Sequence, residues 1–135
     1  MSKNFIGSCL CGVVEFQISG KFESFFLCHC NRCQKDTGSA HAANLFSSVA
    51  VIDWAQGEDK VKTFVLPNTR HGRSFCIECG GSLPRTRDGM VVVPAGSLDS
   101  EVDIRPETHI FLEFKADWDD HLEDVEKLQG PPKMG

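Results

Sequence analysis

The sequence lacks three features that would each indicate a particular class of protein. No stretch approaches the roughly 20 apolar residues of a membrane span, and the start, MSKNFIGSCL, has neither the apolar segment nor the cleavage site of a secretory signal. No run of Lys and Arg exists in a chain whose formal net charge is −5, which disfavours nucleic acid as a partner. We therefore expect a cytoplasmic protein that binds neither a membrane nor nucleic acid.

Internal repeats, low-complexity tracts and obvious linkers are absent as well. The chain has 135 residues, which is the size of one ordinary domain. A hydrophobic fraction of 41% is enough for a small core. We therefore expect a single domain over residues 1–135, with its core between about 5 and 118.

Short runs of β-branched and aromatic residues predict an all-β fold of packed antiparallel sheets. Asp88-Gly89 predicts a tight hairpin turn, because this pair tolerates positive φ angles, and Asn31–Thr37 predicts one short helical turn. The predicted strands are Gly12–Ser19, Ser24–Leu27, Ala40–Phe46, Val49–Trp54, Val61–Leu66, Arg73–Phe75, Met90–Pro94 and His109–Phe114.

The C-terminal segment 117–135 is strongly acidic. Residues 117–126 hold six carboxylates and no Lys or Arg. A helix is predicted at Asp117–Gln129, since its leucines and valine, Leu122, Val125 and Leu128, have helical spacing. A loosely packed acidic tail is the alternative.

Seven cysteines in three tight clusters are the most informative feature of the chain. Their odd number, and pairs separated by a single residue, fit metal ligation better than disulfides. They divide into a group of four and a group of three. The clusters are Cys9-Leu-Cys11, Cys28-His-Cys30-Asn-Arg-Cys33 and Cys76-Ile-Glu-Cys79.

The outer two clusters predict a structural zinc site. Cys9 and Cys11, placed just before or within a strand, would face the same side of it. Cys76 and Cys79 with the glycines that follow resemble a zinc knuckle. Four thiolates close a tetrahedral zinc site, which would tie the N-terminal strand to the second half of the chain. Four free buried cysteines are the alternative.

Cys28, Cys30 and Cys33 predict a second zinc with one open position, which suits catalysis. Arg32 and Lys35 lie beside them and are candidates for binding a substrate carboxylate. Two alternatives stay open. A metal-free redox dithiol is one, and a closed site completed by a histidine is the other, with the candidates His29, His41, His71, His109 and His121. The sequence singles out no general base among these histidines, Glu15, Glu58 and Asp99.

Several segments, in order, resemble the glutathione-dependent formaldehyde-activating enzyme and centromere protein V family. The resemblance runs from Gly7 to about Trp118. The matching segments are GSCLCGVVEF at 7–16, CHCNRCQKDTGSAH at 28–41, RSFCIECGGSL at 73–83, AGSLD at 95–99 and PETHIF at 106–111.

The resemblance implies a small β-tent fold stapled by zinc. It also implies two Zn²⁺ per chain: a structural zinc on the four cysteines at 9, 11, 76 and 79, and a catalytic zinc on the three at 28, 30 and 33. The namesake reaction joins glutathione to formaldehyde, and is carbon–sulfur lyase chemistry in reverse.

We therefore expect a zinc-dependent carbon–sulfur lyase that acts on a thiol–aldehyde adduct, with a small thiol such as glutathione as its partner. Two other functions remain open. One is a zinc-stabilised protein-interaction module without catalysis, and the other is a thiol redox or metal-buffering protein.

Overall fold

A computed structural model describes residues 3–133, which form eleven β-strands, one α-helix and four 3-10 turns. The strands are β1 (Asn4–Ser8), β2 (Glu15–Ser19), β3 (Ser24–Cys28), β4 (Ala42–Ser47), β5 (Val51–Gln56), β6 (Val61–Val65), β7 (Gly72–Cys76), β8 (Ser82–Leu83), β9 (Arg85–Arg87), β10 (Met90–Pro94) and β11 (Thr108–Ile110). The helix is α1 (Asn31–Thr37), and the 3-10 turns are Glu58–Lys60, Ala95–Ser97, Leu112–Phe114 and Leu122–Asp124.

The strands form three sheets, which confirms the predicted all-β class. Their orders are β1-β2-β5, β11-β3-β4-β10-β9 and β6-β7-β8. Every named pair is antiparallel except β11 with β3, where His109 lies opposite Leu27 and Ile110 opposite Cys28. The parallel strand β11 brings the C-terminal third of the chain beside the strand that ends at the three-cysteine cluster.

All three sheets contribute to one apolar core. Alternate residues of β2 are buried, as the period of two in a strand requires when one face is covered. The large, fully buried apolar side chains include five from β2, β4, β8 and β10: Phe16, Ile18, Leu45, Leu83 and Val93. This shared core fixes the sheets relative to one another. It therefore also fixes the positions of the cysteine motifs, which lie at the ends of β1, β3 and β7.

The short predicted elements around the motifs are confirmed. The helical turn at Asn31–Thr37 is α1, which ends at Gly38 with φ of 65°. Asp88 and Gly89 join β9 to β10 with φ of 50° and 78°, so the Asp-Gly hairpin is present. None of the helices within residues 3–133 has the length and apolar character needed to cross a membrane.

The prediction of a helix at Asp117–Gln129 is wrong. The segment contains one 3-10 turn, Leu122–Asp124, and its proposed apolar stripe is not buried: Leu122, Val125 and Leu128 are 46%, 56% and 54% exposed. A short helix in water depends on tertiary packing of its apolar face. Without that packing, the segment up to residue 133 forms no α-helix. It corresponds to the alternative prediction, an acidic tail.

Candidate functional site

The structure brings the four outer cysteines together at one point. The sulfurs of Cys9, Cys11, Cys76 and Cys79 all lie within 4.8 Å of one another. A tetrahedron with Zn–S bonds of about 2.3 Å separates its sulfurs by about 3.8 Å, and the sulfurs of Cys9 and Cys11 are 3.7 Å apart. The donor set and its spacing therefore fit a zinc ion.

Cys9 and Cys11 lie in the turn between β1 and β2. They precede the second strand and are not within it, which is one of the two predicted placements. Gly12, with φ of 82°, and a hydrogen bond from its N–H to the carbonyl of Cys9 form this turn. The turn brings the two sulfurs within 3.7 Å of each other. A strand would have placed both side chains on one face of the sheet without bringing the sulfurs so close.

Backbone N–H groups surround the sulfurs of this group. The N–H of Val14 donates to Cys9 at 3.3 Å, and the N–H groups of Cys11 and Gly81 each donate to Cys79 at 3.4 Å. These donors from Cys11 and Gly81 lower the pKa of Cys79 to about 6. Donors of this kind favour thiolates, which are the form that binds metal.

The three inner cysteines meet at the end of β3 and the start of α1. Their sulfurs also lie within 4.8 Å of one another. Cys30 is the N-cap of α1, and its sulfur accepts the N–H of Cys33 at 3.3 Å. Although burial opposes it, that hydrogen bond lowers the pKa of Cys30, whereas burial raises the pKa of Cys28 and of Cys33. The helical turn thus orients the sulfur of Cys30 and favours its thiolate form, whereas burial favours the neutral thiols of Cys28 and Cys33.

No imidazole in residues 3–133 joins this three-sulfur group. His29 is instead buried among other side chains: its Nε2 lies 2.8 Å from Nδ1 of His109, and its Nδ1 lies 3.2 Å from Oδ2 of Asp119. The ring of His41 lies 5.1 Å from that of His29, tilted by 56°, and burial lowers the pKa of His41. His29 thus ties His109 and Asp119 of the C-terminal segment to the strand end that carries the inner cysteines. The three-cysteine group keeps its three sulfur donors.

A cleft of about 620 Å³ opens beside the three-cysteine group. All three cysteines line it, together with the predicted Arg32 and with apolar side chains, among them Phe46, Leu83, Ile110, Phe111 and Phe114. Lys35 is exposed and is not part of the lining. Of the histidines and carboxylates considered as general bases, His71 is the one that lines the cleft within the described chain.

Asp36 and four arginines of this cleft were not predicted from the sequence. Oδ2 of Asp36 lies 2.7 Å from Nε2 of His71, and both residues face the cleft. Four further arginines also line it: Arg70, Arg73, Arg85 and Arg87. One signal was available, because Arg85-Thr86-Arg87 alternates as a strand does and so places both guanidinium groups on one face.

These features define a small zinc-compatible β-protein with a cysteine group that opens onto a cleft. A profile of the family described as glutathione-dependent formaldehyde-activating enzyme matches residues 4–114, and the chain therefore belongs to that family. A crystal structure of a Rhodobacter sphaeroides protein is similar in fold, with a TM-score of 0.51 at 20% identity, over 77% of this chain and 97% of that one. No curated protein sequence matches the chain.

Proposed function

We propose that the protein is a zinc-dependent carbon–sulfur lyase that interconverts a thiol–aldehyde adduct with its free thiol and formaldehyde. The observation that carries this proposal is the three-cysteine group, Cys28, Cys30 and Cys33, which lines a cleft and has no fourth protein donor among residues 3–133. Membership of the formaldehyde-activating family supports the same reaction class.

The two cysteine groups take different roles in this proposal. Cys9, Cys11, Cys76 and Cys79 would hold a structural zinc as its four ligands. Cys28, Cys30 and Cys33 would hold the catalytic zinc. That zinc supplies Lewis-acid chemistry and lowers the pKa of a thiol that binds it.

The reaction needs no oxidant or reductant. In the direction of cleavage, the C–S bond of a hydroxymethyl thioether breaks and the sulfur keeps the electron pair. The hydroxyl loses its proton as its C–O bond becomes the carbonyl of formaldehyde, and the sulfur gains a proton. The acid–base pair that the cleft offers for this transfer is His71 with Asp36, since the carboxylate at 2.7 Å orients the imidazole.

Apolar side chains of the cleft contribute by excluding water from the adduct. Phe111 and Phe114 both line the cleft and both come from the segment anchored by β11. Both rings are about half exposed, so a bound adduct would cover them and displace water from this part of the cleft.

The test combines metal analysis with turnover. Native mass spectrometry of gently purified protein should give two zinc ions per chain, and the zinc-loaded protein should form S-hydroxymethylglutathione from glutathione and formaldehyde. Cys30→Ala should keep the fold, lose one zinc and lose turnover. Lys35→Ala, on the same helix but outside the cleft, should retain both.

Unchanged turnover in Cys30→Ala would contradict the catalytic assignment. One zinc per chain with no turnover of any adduct would favour an interaction module, in which the inner cysteines have no catalytic part. A mixed disulfide trapped on the inner cysteines under mild oxidant would favour a redox protein.

A further inference from the structure

The cleft is strongly enriched in arginine. The chain contains six arginines and eight lysines. Five of the arginines line the cleft and no lysine does, while Asp36 is the one carboxylate in the lining within the described residues. This positive cleft belongs to a chain whose net charge is −5, so the arginines are concentrated at this one place. They are Arg32, Arg70, Arg73, Arg85 and Arg87.

Two of these arginines already have polar partners in the protein. Arg70 lies 3.5 Å from the carboxylate of Asp88. Arg73 donates to the carbonyl of Gly80 and to the hydroxyl of Ser82, both at 3.2 Å. These contacts explain why the two guanidinium groups lie where they do without invoking a ligand.

Arg85 and Arg87 differ, because buried nitrogens of both lack a partner. Nη1 of Arg85 and Nε of Arg87 are each shielded from solvent and make no hydrogen bond. The carboxylate of Asp88 is 3.9 Å from Nε of Arg87, which is too far for a hydrogen bond. Buried donors are normally satisfied, so neither guanidinium group is positioned by a hydrogen bond at these atoms.

Gly72 leaves room for the guanidinium group of Arg85. A Cβ atom at Gly72 would lie 2.1 Å from Nη1 of Arg85, so the glycine leaves the space that the guanidinium occupies. Arg87 is its neighbour on the same face of β9, and two adjacent cations repel each other. Burial and this neighbour lower the pKa of Arg85. An anion bound in the cleft against these two guanidinium groups would offset this repulsion.

We propose that Arg85 and Arg87 form an anion subsite that binds a carboxylate or phosphate on the thiol carrier of the substrate. The inference rests on the proposed function, and it adds to it that the carrier must be an anionic thiol. Two guanidinium forks suit planar or tetrahedral oxyanions better than ammonium groups do. A neutral thiol of similar size would offer these two cations no opposite charge, and would bind more weakly for that reason.

The test measures binding of probes that cannot react, to zinc-loaded protein by calorimetry. The carboxylate arm compares S-methylglutathione with its diethyl ester, and the phosphate arm compares S-methyl-4′-phosphopantetheine with S-methylpantetheine. None of these probes carries a free thiol, so their binding does not depend on turnover. The variants are Arg85→Gln and Arg87→Gln, and Arg105→Gln is the matched control, since Arg105 is the exposed arginine outside the cleft.

In one arm the anionic probe should bind more tightly than its uncharged analogue, and that arm identifies the anion. Each cleft variant should weaken binding of the anionic probe about ten- to a hundredfold, the loss expected for a hydrogen bond to a charged group. Arg105→Gln should bind like the wild type.

Equal binding of the charged and uncharged probes in both arms would overturn the proposal. So would wild-type affinity in both cleft variants. The comparison of probes on the wild-type protein is decisive even where a variant fails to fold. Arginine-dependent binding together with absent turnover would reject the lyase reaction and leave the subsite standing, so the two failures are distinguishable.

Discussion

The two cysteine groups use the same ligand atom in opposite surroundings. The four-cysteine group joins the turn after β1 to the segment after β7, and backbone N–H groups point at its sulfurs. The three-cysteine group lies at one strand end and one helical turn, with the N–H of Cys33 donating to Cys30 and a cleft beside the group. The surroundings therefore suit the first group to holding the fold together and the second to receiving a ligand.

The largest contrast should come from matched serine substitutions in the two groups. Cys76 is fully buried, and its replacement by Ser should prevent folding at 37 °C, because binding of a structural zinc contributes about 10–16 kcal/mol in small domains against a total stability of about 5–15 kcal/mol. Cys30→Ser should still melt cooperatively. Circular dichroism and metal content per chain measure both variants. A wild-type melt for Cys76→Ser would show that the four-cysteine group is not structural.

Metal removal should separate the groups in time. A chelator should first take the ion of the cleft group, because that group is open on one side, and turnover should disappear while the far-ultraviolet circular dichroism signal persists. Loss of the second ion should then coincide with unfolding. Release is followed with a chromophoric chelator. A single phase in which turnover, both ions and the fold are lost together would refute the distinction.

A smaller effect is expected at Gly81, where the segment after Cys79 contacts the turn that follows β1. A Cβ atom at Gly81 would lie 2.9 Å from the backbone N of Leu10 and 3.3 Å from the sulfur of Cys79. Gly81→Ala should therefore destabilise the protein by about 1–3 kcal/mol, seen as a lower melting temperature. In Gly96→Ala the new methyl group meets no atom within 4 Å, so this control should melt like the wild type. Equal melting temperatures for both variants would show that the contact carries no strain.

The smallest effect concerns a side chain that ties α1 to the C-terminal segment. Nε2 of Gln34 donates to the carbonyls of His29 and Phe114 at 2.7 and 2.9 Å. Gln34→Ala should cost about 1 kcal/mol and speed amide exchange in residues 108–114. Gln56→Ala, which removes donors to the turn beside the other cysteine group, should speed exchange in residues 9–14 instead. The same exchange pattern in both variants would mean that the two regions are not independent.

The grouping of the cysteines was predictable because much of it is local. Ligand pairs two or three positions apart approach whatever the rest of the fold does, and the partition into four and three followed from counting. The pairing of Cys9 with Cys76 across the chain also agrees with the structure. The assignment of zinc to these residues stays a prediction.

Prediction from the sequence failed where the structure depends on packing between residues that are far apart in the chain. The stripe at Leu122, Val125 and Leu128 has helical spacing but no surface to cover it, and spacing alone cannot reveal that. Strand β1 was missed because Gly7 reads as a strand breaker. In the fold, that glycine lets the ring of Phe16 approach, and a Cβ atom there would lie 2.3 Å from it.

The arginines of the cleft were missed for a related reason. They come from α1, the loop before β7, β7 itself and β9, and only the three-dimensional fold brings these elements around one space. The sequence showed Arg32 because it lies beside the cysteines. The others have no sequence neighbour that marks them, apart from the alternation in β9.

The long separation between the two halves of the four-cysteine group also has a consequence for synthesis of the protein. Cys9 and Cys11 leave the ribosome with the first strand, but their partners Cys76 and Cys79 follow only after most of the strands have been made. At about 5–20 residues per second, the early thiols wait several seconds without the sulfurs that complete their site. During that interval they are open to oxidation or to the wrong metal, so the yield of correctly assembled protein should depend on a reducing environment and on available zinc while the chain is being translated.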